Sequence, residues 1–170
     1  MKTAKFLFLF VFSAITFGCG EKKENNEKEG FQVKRTKESV KEEVDENVIA
    51  LSSNDLMQYD KNELRVKAGK KVTLTLRHTG KLEKLVMGHN FVLLKTGTDI
   101  GGFATDAAAS RENDYIPEGT ESVIVHTKML GGGESTTITF DAPAVGTYDF
   151  ICSFPGHYSV MQGKFIVEGS

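Results

Sequence analysis

The sequence is poor in cysteine, in net charge and in long apolar runs. Its 170 residues contain two cysteines, which allow at most one disulfide. The 21 basic and 23 acidic residues leave a net charge of -2, which gives no argument for nucleic acid or an anionic membrane surface as a partner. The unbroken apolar run at 6–12 is too short to span a bilayer. With 39% apolar residues, the chain is expected to form one core of about 120 residues and a tail.

Residues 1–18 have the pattern of a secretory signal, because Lys2 and Lys5 precede the apolar run and small or apolar residues follow it. Cys19 comes next, directly before a highly charged stretch, and it resembles the lipobox cysteine of a bacterial lipoprotein. This resemblance implies that Cys19 is lipidated and that the exported domain is anchored to a bacterial membrane, in the periplasm or at the cell surface. The alternative is an ordinary cleaved signal, with Cys19 removed or left as a free thiol.

Residues 19–47 are predicted to be a flexible tether. Glu, Lys and Asn dominate this segment, charges of both signs are interleaved, and apolar residues are few. Such a segment buries too little surface to offset the entropy lost on ordering. We therefore predict three parts: a signal peptide of the lipoprotein type at 1–18, a lipidated Cys19 with a charged tether at 19–47, and a folded domain at 48–170.

Short strands separated by turns fill the predicted domain. Period-two alternation or short apolar runs, which are typical of strands, occur at 64–66, 72–76, 91–94, 122–126, 135–140, 147–152 and 164–168. The continuous apolar run at 91–94 suits a strand covered on both faces. The number and spacing of the strands predict an all-β Greek-key β-sandwich or barrel. Ala-rich residues 103–113 predict a short helical insertion, whereas the glycines at 101–102 and 131–133 predict turns, the second one in a hairpin.

A thiol, an imidazole and a thioether occur close together, as Cys152-x4-His157-x3-Met161. A thiolate and two imidazoles in a trigonal arrangement, with a distant axial thioether, are the ligands of a blue-copper electron-transfer centre. One imidazole is missing from this segment, and we expect His89 to supply it. Gly88, directly before His89, lets a backbone carbonyl approach a metal with no Cβ in the way. The predicted cofactor is therefore one copper ion.

The segment that carries these ligands also has turn chemistry. Pro155 fixes one φ and Gly156 accepts positive φ, so the chain reverses between Cys152 and His157 and both side chains face one point. Predicted strands precede and follow this loop. We therefore expect the ligands to be held at strand ends by a rigid sheet.

Two other uses of Cys152 compete with copper. Cys152 and His157 resemble a nucleophile and its base, but a hydrolase of that kind also needs an oxyanion hole and a third orienting group. No motif in the sequence supplies these. Zinc accepts Cys, two His and a water, but a methionine at the axial spacing adds nothing for an ion without redox chemistry. An intense blue colour with Cu(II), absent with zinc, separates the two metals.

Three segments resemble the motifs of azurins, in the same order: residues 87–90, residues 126–128, and the Cys152 loop up to Gly163. The similarity covers roughly residue 48 to the C-terminus and implies a cupredoxin-like fold. It implies Met161 as the axial ligand and the Gly88 carbonyl as a weak further ligand. Asn90 and the backbone near Phe154 are expected to tether the loop and to donate hydrogen bonds to the Cys152 sulfur.

The sequence departs from azurins in three places. It has no tryptophan, and Phe91 stands where azurins often carry a buried one. The two cysteines of the usual azurin disulfide are absent, and residues 1–47 have no azurin counterpart. In azurin-like chains His78 is a partly buried residue near the copper, so we expect it to be structural, and we expect His126 to lie at the surface.

The resemblance implies an electron carrier and not an enzyme. Single electrons would pass between redox partners through the Cu(I)/Cu(II) couple, with no substrate bound or turned over. The partners that the family implies are redox proteins such as c-type cytochromes or copper and haem reductases. The alternative function is a copper-carrying or copper-sensing lipoprotein with the same site and no redox partner.

Electrons are expected to enter at the outer edge of His157. The neighbouring turn supplies apolar groups, and the azurin resemblance implies that other loops complete an apolar ring around this edge. The expected ring consists of Met57, Leu82, Met87, Pro155 and Val160. Such a patch suits a weak redox encounter that buries little area. The alternative is that these side chains only shield the copper from water.

Overall fold

The computed structural model describes residues 45–169, so the predicted signal peptide, Cys19 and most of the predicted tether lie outside the described residues. Within this range nine strands form two sheets. The four-stranded sheet consists of β1 (Val48–Asn54), β2 (Gln58–Tyr59), β4 (Lys71–His78) and β7 (Ser135–Asp141). The five-stranded sheet consists of β3 (Glu63–Lys67), β5 (Val92–Leu94), β6 (Val123–His126), β8 (Gly146–Ile151) and β9 (Gln162–Glu168).

The strand order is β2-β1-β4-β7 in the first sheet and β3-β9-β8-β5-β6 in the second. Two neighbouring pairs, β1 with β4 and β3 with β9, are parallel. The other pairs are antiparallel. The strand order also shows that consecutive strands often belong to different sheets. The predicted all-β sandwich is confirmed, and the described strands close no barrel.

Period-two alternation builds the core between the sheets. In β4, Val72, Leu74 and Leu76 are fully buried, because successive side chains point to opposite faces of a strand. On the outer face Thr75 contacts Thr137 of β7 through their hydroxyls, at 2.8 Å. The neighbouring strand β1 and the strands of the facing sheet add apolar side chains to the same core, namely Ile49, Leu51, Leu64, Val66, Leu93, Phe150, Phe165 and Val167.

Strand β5 is buried on both faces, as its apolar run predicts. Leu93 packs in the main core, whereas Val92 and Leu94 belong to a second cluster with Phe103 and Ala107. These two residues lie in helix α2 (Ile100–Ala108). The helical insertion therefore covers the outer face of β5. None of the helices within 45–169 is long and apolar enough to cross a membrane.

Helix α2 begins earlier than the Ala-rich composition predicts. The Asp99 side chain accepts a hydrogen bond from the Gly101 N–H at 3.1 Å, which satisfies a donor that the first helical turn leaves free. The predicted turn at 101–102 is therefore wrong, since both glycines lie inside the helix. The helix ends at Ala108, and a separate 3₁₀ turn, Arg111–Asn113, follows.

The glycines at 131–133 do not form the predicted hairpin. Strand β6 lies in the five-stranded sheet, while β7 pairs with β4 in the other sheet. The loop between β6 and β7 therefore crosses from one sheet to the other. A Cβ at Gly132 would lie 2.5 Å from the Lys81 carbonyl carbon. The glycine thus permits a close approach of two backbone segments, at residues 80–81 and at residue 132.

Candidate metal centre

The ends of several elements bring three donor side chains together. Cys152 directly follows β8, and His157 opens a 3₁₀ turn, His157–Ser159. His89 lies between α1 (Lys84–Met87) and β5, where its backbone exchanges hydrogen bonds with Leu130. The donor atoms of His89, Cys152 and His157 all lie within 4.8 Å of one another. Two loops, one after β8 and one before β5, thus hold a thiol and two imidazoles around one point.

The distances between these donors fit a single bound metal ion. The Cys152 Sγ lies 3.9 Å from His89 Nδ1 and 3.7 Å from His157 Nδ1. A metal–sulfur bond of about 2.3 Å and a metal–nitrogen bond of about 2.0 Å, meeting at about 120°, place the two donors about 3.7 Å apart. Both sulfur–nitrogen distances therefore suit a thiolate and an imidazole that bind one metal ion at about 120° to each other.

Hydrogen bonding fixes the tautomer of His89. Its Nε2 lies 2.9 Å from the backbone carbonyl of Asn54. A carbonyl only accepts, so Nε2 carries the proton and Nδ1 presents its lone pair to Cys152. Burial lowers the pKa of the His89 and His157 imidazoles to about 4. Both rings are therefore neutral at pH 7, which is the state that binds a metal.

The Cys152 thiol is fully buried. Burial raises its pKa to about 11, against the opposing effect of the backbone N–H groups of Asn90 and Phe154, which donate to the sulfur. Without a metal the group is a protonated thiol at neutral pH. Metal binding must therefore release this proton. The Gly88 carbonyl oxygen lies 3.8 Å from the same sulfur.

Asn90 joins the two loops that carry the donors. Its Nδ2 donates to the Ser153 hydroxyl at 2.8 Å and to the Asp114 carbonyl at 3.0 Å. Its Oδ1 accepts from the Ser153 N–H at 2.9 Å. Because Asn90 follows His89 and Ser153 follows Cys152, these bonds hold the two ligand loops in register.

Met161 closes the Cys152 loop. Its N–H donates to the His157 carbonyl at 2.8 Å and its carbonyl accepts from the Cys152 N–H at 2.9 Å. The Met161 side chain is fully buried. The structure therefore ties Met161 to two of its expected co-ligands, Cys152 and His157, which lie in the same loop.

Gly88 has no room for a side chain. A Cβ there would lie 2.5 Å from the Lys84 carbonyl oxygen and 2.9 Å from the Met129 sulfur. Sequence reasoning missed Met129, which is buried against Gly88. The nearby Thr-Lys-Met-Leu pattern carries no signal for this contact, because the contact depends on the fold of the loop after β6.

His78 is more deeply buried than the resemblance implies, with no exposed surface. Its Nδ1 accepts from the Gly80 N–H at 3.0 Å, and its Nε2 donates to the Met87 carbonyl at 2.9 Å. The His78 ring packs 4.4 Å from the His89 ring, centroid to centroid. Both nitrogens are used, so His78 supports the centre structurally. His126 is half-buried, so part of its side chain lies at the surface.

The five residues expected in the apolar ring differ in exposure. Leu82 and Val160 are exposed by 41% and 61%, Met57 by 37%, and Pro155 is also exposed, while Met87 is half-buried. Sequence reasoning missed further exposed apolar side chains next to them in the chain, namely Leu56, Leu85 and Val86. The last two lie in α1, which buries no residue.

Two of the loops that carry this apolar ring are tied to each other and to the centre. The Asp55 carboxylate accepts hydrogen bonds from the N–H groups of Lys81, at 2.8 Å, and Leu82, at 3.3 Å. The Asn54 carbonyl, which accepts from His89, also accepts from the Met57 N–H at 3.2 Å. Met57 and Leu82 thus lie on turns fixed beside a candidate ligand.

Comparison with known proteins identifies this combination of fold and site. Residues 48–168 match the family of copper-binding proteins described as the plastocyanin/azurin family. Azurin-1 of Alcaligenes xylosoxydans xylosoxydans is 43% identical over 119 residues, which cover 68% of this chain and 92% of that protein. The azurin of Bordetella pertussis is 45% identical over 120 residues, covering 68% of this chain and 79% of that protein.

Solved structures agree with the sequence matches. An azurin of Methylomonas sp. strain J has a TM-score of 0.66 at 34% identity, covering 71% of this chain and 97% of its own. A dithionite-reduced auracyanin of Roseiflexus castenholzii has a TM-score of 0.65 at 37% identity, covering 72% and 97%. The sandwich and its buried thiol–imidazole site define a cupredoxin. The chain belongs to the plastocyanin/azurin family, and its cofactor is copper.

Proposed function

We propose that this protein is a blue-copper electron carrier that passes single electrons between redox proteins. The observation that carries the proposal is the buried group of His89, Cys152 and His157, whose donor atoms lie within 4.8 Å of one another. The bound copper supplies a one-electron couple, Cu(I)/Cu(II). Exposed apolar side chains on neighbouring loops provide a surface for a brief encounter with a partner.

The ligand roles form part of the proposal. Cys152 supplies the thiolate, and His89 and His157 supply Nδ1 lone pairs from neutral rings. Met161 is the axial thioether and the Gly88 carbonyl a weak further ligand, supported by their burial and by the Gly88 contact with the Cys152 sulfur. The backbone N–H groups of Asn90 and Phe154 donate hydrogen bonds to the Cys152 sulfur. A scaffold fixed in this way limits the rearrangement that each electron transfer requires.

Electrons enter through the apolar ring around His157. Leu82→Lys is expected to slow electron exchange with a partner or between two copies, and to leave the blue colour and the reduction potential nearly unchanged. The matched control is Val145→Lys, since Val145 is 64% exposed and lies just before β8, whereas the metal ligand Cys152 follows the other end of that strand. The control should exchange electrons at the unaltered rate.

Stopped-flow exchange rates, corrected for driving force, measure this effect. If Leu82→Lys shifted the spectrum and the potential but not the rate, the ring would only shield the metal. Equal slowing by the two lysine variants would place the entry point elsewhere. The expected partners are redox proteins such as c-type cytochromes or copper and haem reductases, and each is a candidate acceptor for the same assay.

We also propose that the domain is exported and held at a bacterial membrane through a lipid on Cys19. The signal pattern at 1–18 and the charged tether at 19–47 support this proposal. Cys19→Ser is expected to move the protein from the membrane fraction to the soluble fraction of cells. Mass spectrometry of the mature N-terminus provides the direct measurement, and a membrane-bound serine variant would contradict the lipid anchor.

A further inference from the structure

The Tyr59 hydroxyl contacts the residue next to His89, and it does so from the opposite sheet. Tyr59 lies in β2, at the edge of the four-stranded sheet. Its ring packs 5.6 Å from the ring of Phe150, centroid to centroid, and its hydroxyl donates a hydrogen bond to the Asn90 backbone carbonyl. Burial raises the pKa of this hydroxyl well above 10, so it stays a donor at every physiological pH.

With this bond, every hydrogen-bonding group of Asn90 has a partner. The backbone N–H donates to the Cys152 sulfur. The side-chain amide contacts Ser153 and the Asp114 carbonyl. The backbone carbonyl accepts from Tyr59. The contacts with Cys152, Ser153 and Asp114 are made by loops that connect strands of the five-stranded sheet. The hydrogen bond from Tyr59 comes from the other sheet.

We propose that Tyr59 is a positioning residue for the copper thiolate. This proposal rests on the proposed electron-transfer function. By holding the Asn90 carbonyl, the hydroxyl keeps the Asn90 N–H aimed at the Cys152 sulfur. An N–H that donates to the sulfur draws electron density from it, and hydrogen bonding around this sulfur tunes the potential of a blue-copper site. Without the Tyr59 hydroxyl the Asn90 backbone can shift, and the hydrogen bond from its N–H to the sulfur weakens. The sulfur then keeps more negative charge, which would stabilise Cu(II) over Cu(I) and lower the reduction potential.

A purely structural role has a different consequence. Loss of the hydroxyl would then leave a buried carbonyl without a partner and lower stability. It would not change the properties of the sulfur. The reduction potential and the charge-transfer band of the copper-loaded protein therefore separate positioning from simple satisfaction of the carbonyl.

The test compares Tyr59→Phe with Tyr148→Phe in the copper-loaded protein. Tyr148 is the matched control, because its hydroxyl also donates to a backbone carbonyl, that of Ala144, at 2.8 Å, but on an exposed loop before β8. Tyr59→Phe is expected to lower the reduction potential and to move the thiolate-to-copper band to longer wavelength. Tyr148→Phe should match the unaltered protein in both. If Tyr59→Phe also matched it in both, the proposal would be overturned, whatever the change in melting temperature.

A second variant keeps the test decisive if Tyr59→Phe does not fold. Replacing Tyr59 with 3-fluorotyrosine retains the ring and the hydroxyl and makes the hydroxyl a stronger donor. Its potential should rise, and an unchanged or lower potential would count against the positioning role. The unaltered protein tests the proposed function separately, because that function fails if copper binds without a blue colour. A blue unaltered protein beside an unshifted Tyr59→Phe variant overturns only the role of Tyr59.

Discussion

The imidazoles of His89 and His157 are neutral in the folded protein because burial lowers their pKa from 6.5 to about 4. In the unfolded chain both groups return to the ordinary value. Between about pH 4 and pH 6.5 the unfolded state therefore binds more protons than the folded state, and the free energy of unfolding rises with pH. The contribution is fully present above pH 6.5 and is lost as the pH falls towards 4.

The metal-free protein is accordingly expected to unfold at progressively lower urea concentration as the pH falls from 6.5 to 4.5. The pKa values of the Asp55 and Glu168 carboxyls are lowered from 3.8 and 4.5 by hydrogen bonds, so their contributions are lost mainly below this window. His157→Gln should flatten the pH dependence. A urea midpoint that is constant across the window, or a slope unaffected by His157→Gln, would contradict the prediction.

At the scale of elements, the contact between β8 and β9 depends on a missing side chain. Gly163 of β9 lies opposite Phe150 of β8. A Cβ at Gly163 would collide with the Phe150 ring and with the Asn62 backbone carbonyl. The carbonyl cannot move without shifting the chain that leads into β3, so the collision would push β9 away from its neighbours.

Gly163→Ala is therefore expected to destabilise the protein by about 1–3 kcal/mol, the usual cost of forcing an extra methyl group into a packed core. The control is Gly146→Ala in β8, where the nearest atom to an added Cβ is 3.6 Å away, an ordinary contact. Its urea midpoint should stay close to that of the unaltered protein. Equal losses in the two variants would show that the effect comes from the strand backbone and not from the collision.

At the scale of the whole molecule, the domain lacks a covalent cross-link. Cys152 is the one cysteine within residues 45–169, and it is free and buried in the metal centre. A disulfide typically stabilises a domain by about 2–4 kcal/mol. Copper binding stabilises the folded state to the extent that the assembled site binds the ion more tightly than the unfolded chain does.

Reductant is expected to leave the melting temperature of the metal-free protein unchanged, whereas copper raises it. Free copper at 100 times its dissociation constant adds about 2.7 kcal/mol by mass action. Cys152→Ser should remove the blue band and most of this stabilisation. Calorimetry of residues 45–170 with and without copper measures both effects. A melting temperature that fell on reduction, or a serine variant that stayed blue and fully stabilised by copper, would contradict these expectations.

The sequence by itself determined the chemistry of the site and the kind of fold. The spacing of Cys152, His157 and Met161 indicates a common metal site, because the turn at Pro155-Gly156 is a local property of the chain. His89 lies upstream in the sequence. Period-two alternation likewise shows which side chains of a strand share a face. The burial of β5 on both faces follows from its apolar run, and each of these signals depends on residues that are neighbours in sequence.

Only the tertiary structure decided which strands pair and what surrounds the ligands. Alternation does not reveal the partner of a strand, so the β6–β7 connection looked like a hairpin although β7 pairs with β4 across the sandwich. Helix α2 begins at Ile100, where the Asp99 side chain caps its first turn. His78 has no exposed surface, and its ring packs against that of His89. The contacts of Tyr59 with Asn90 join chain segments far apart in sequence. Such contacts depend on the closure of the whole chain, which no local pattern encodes.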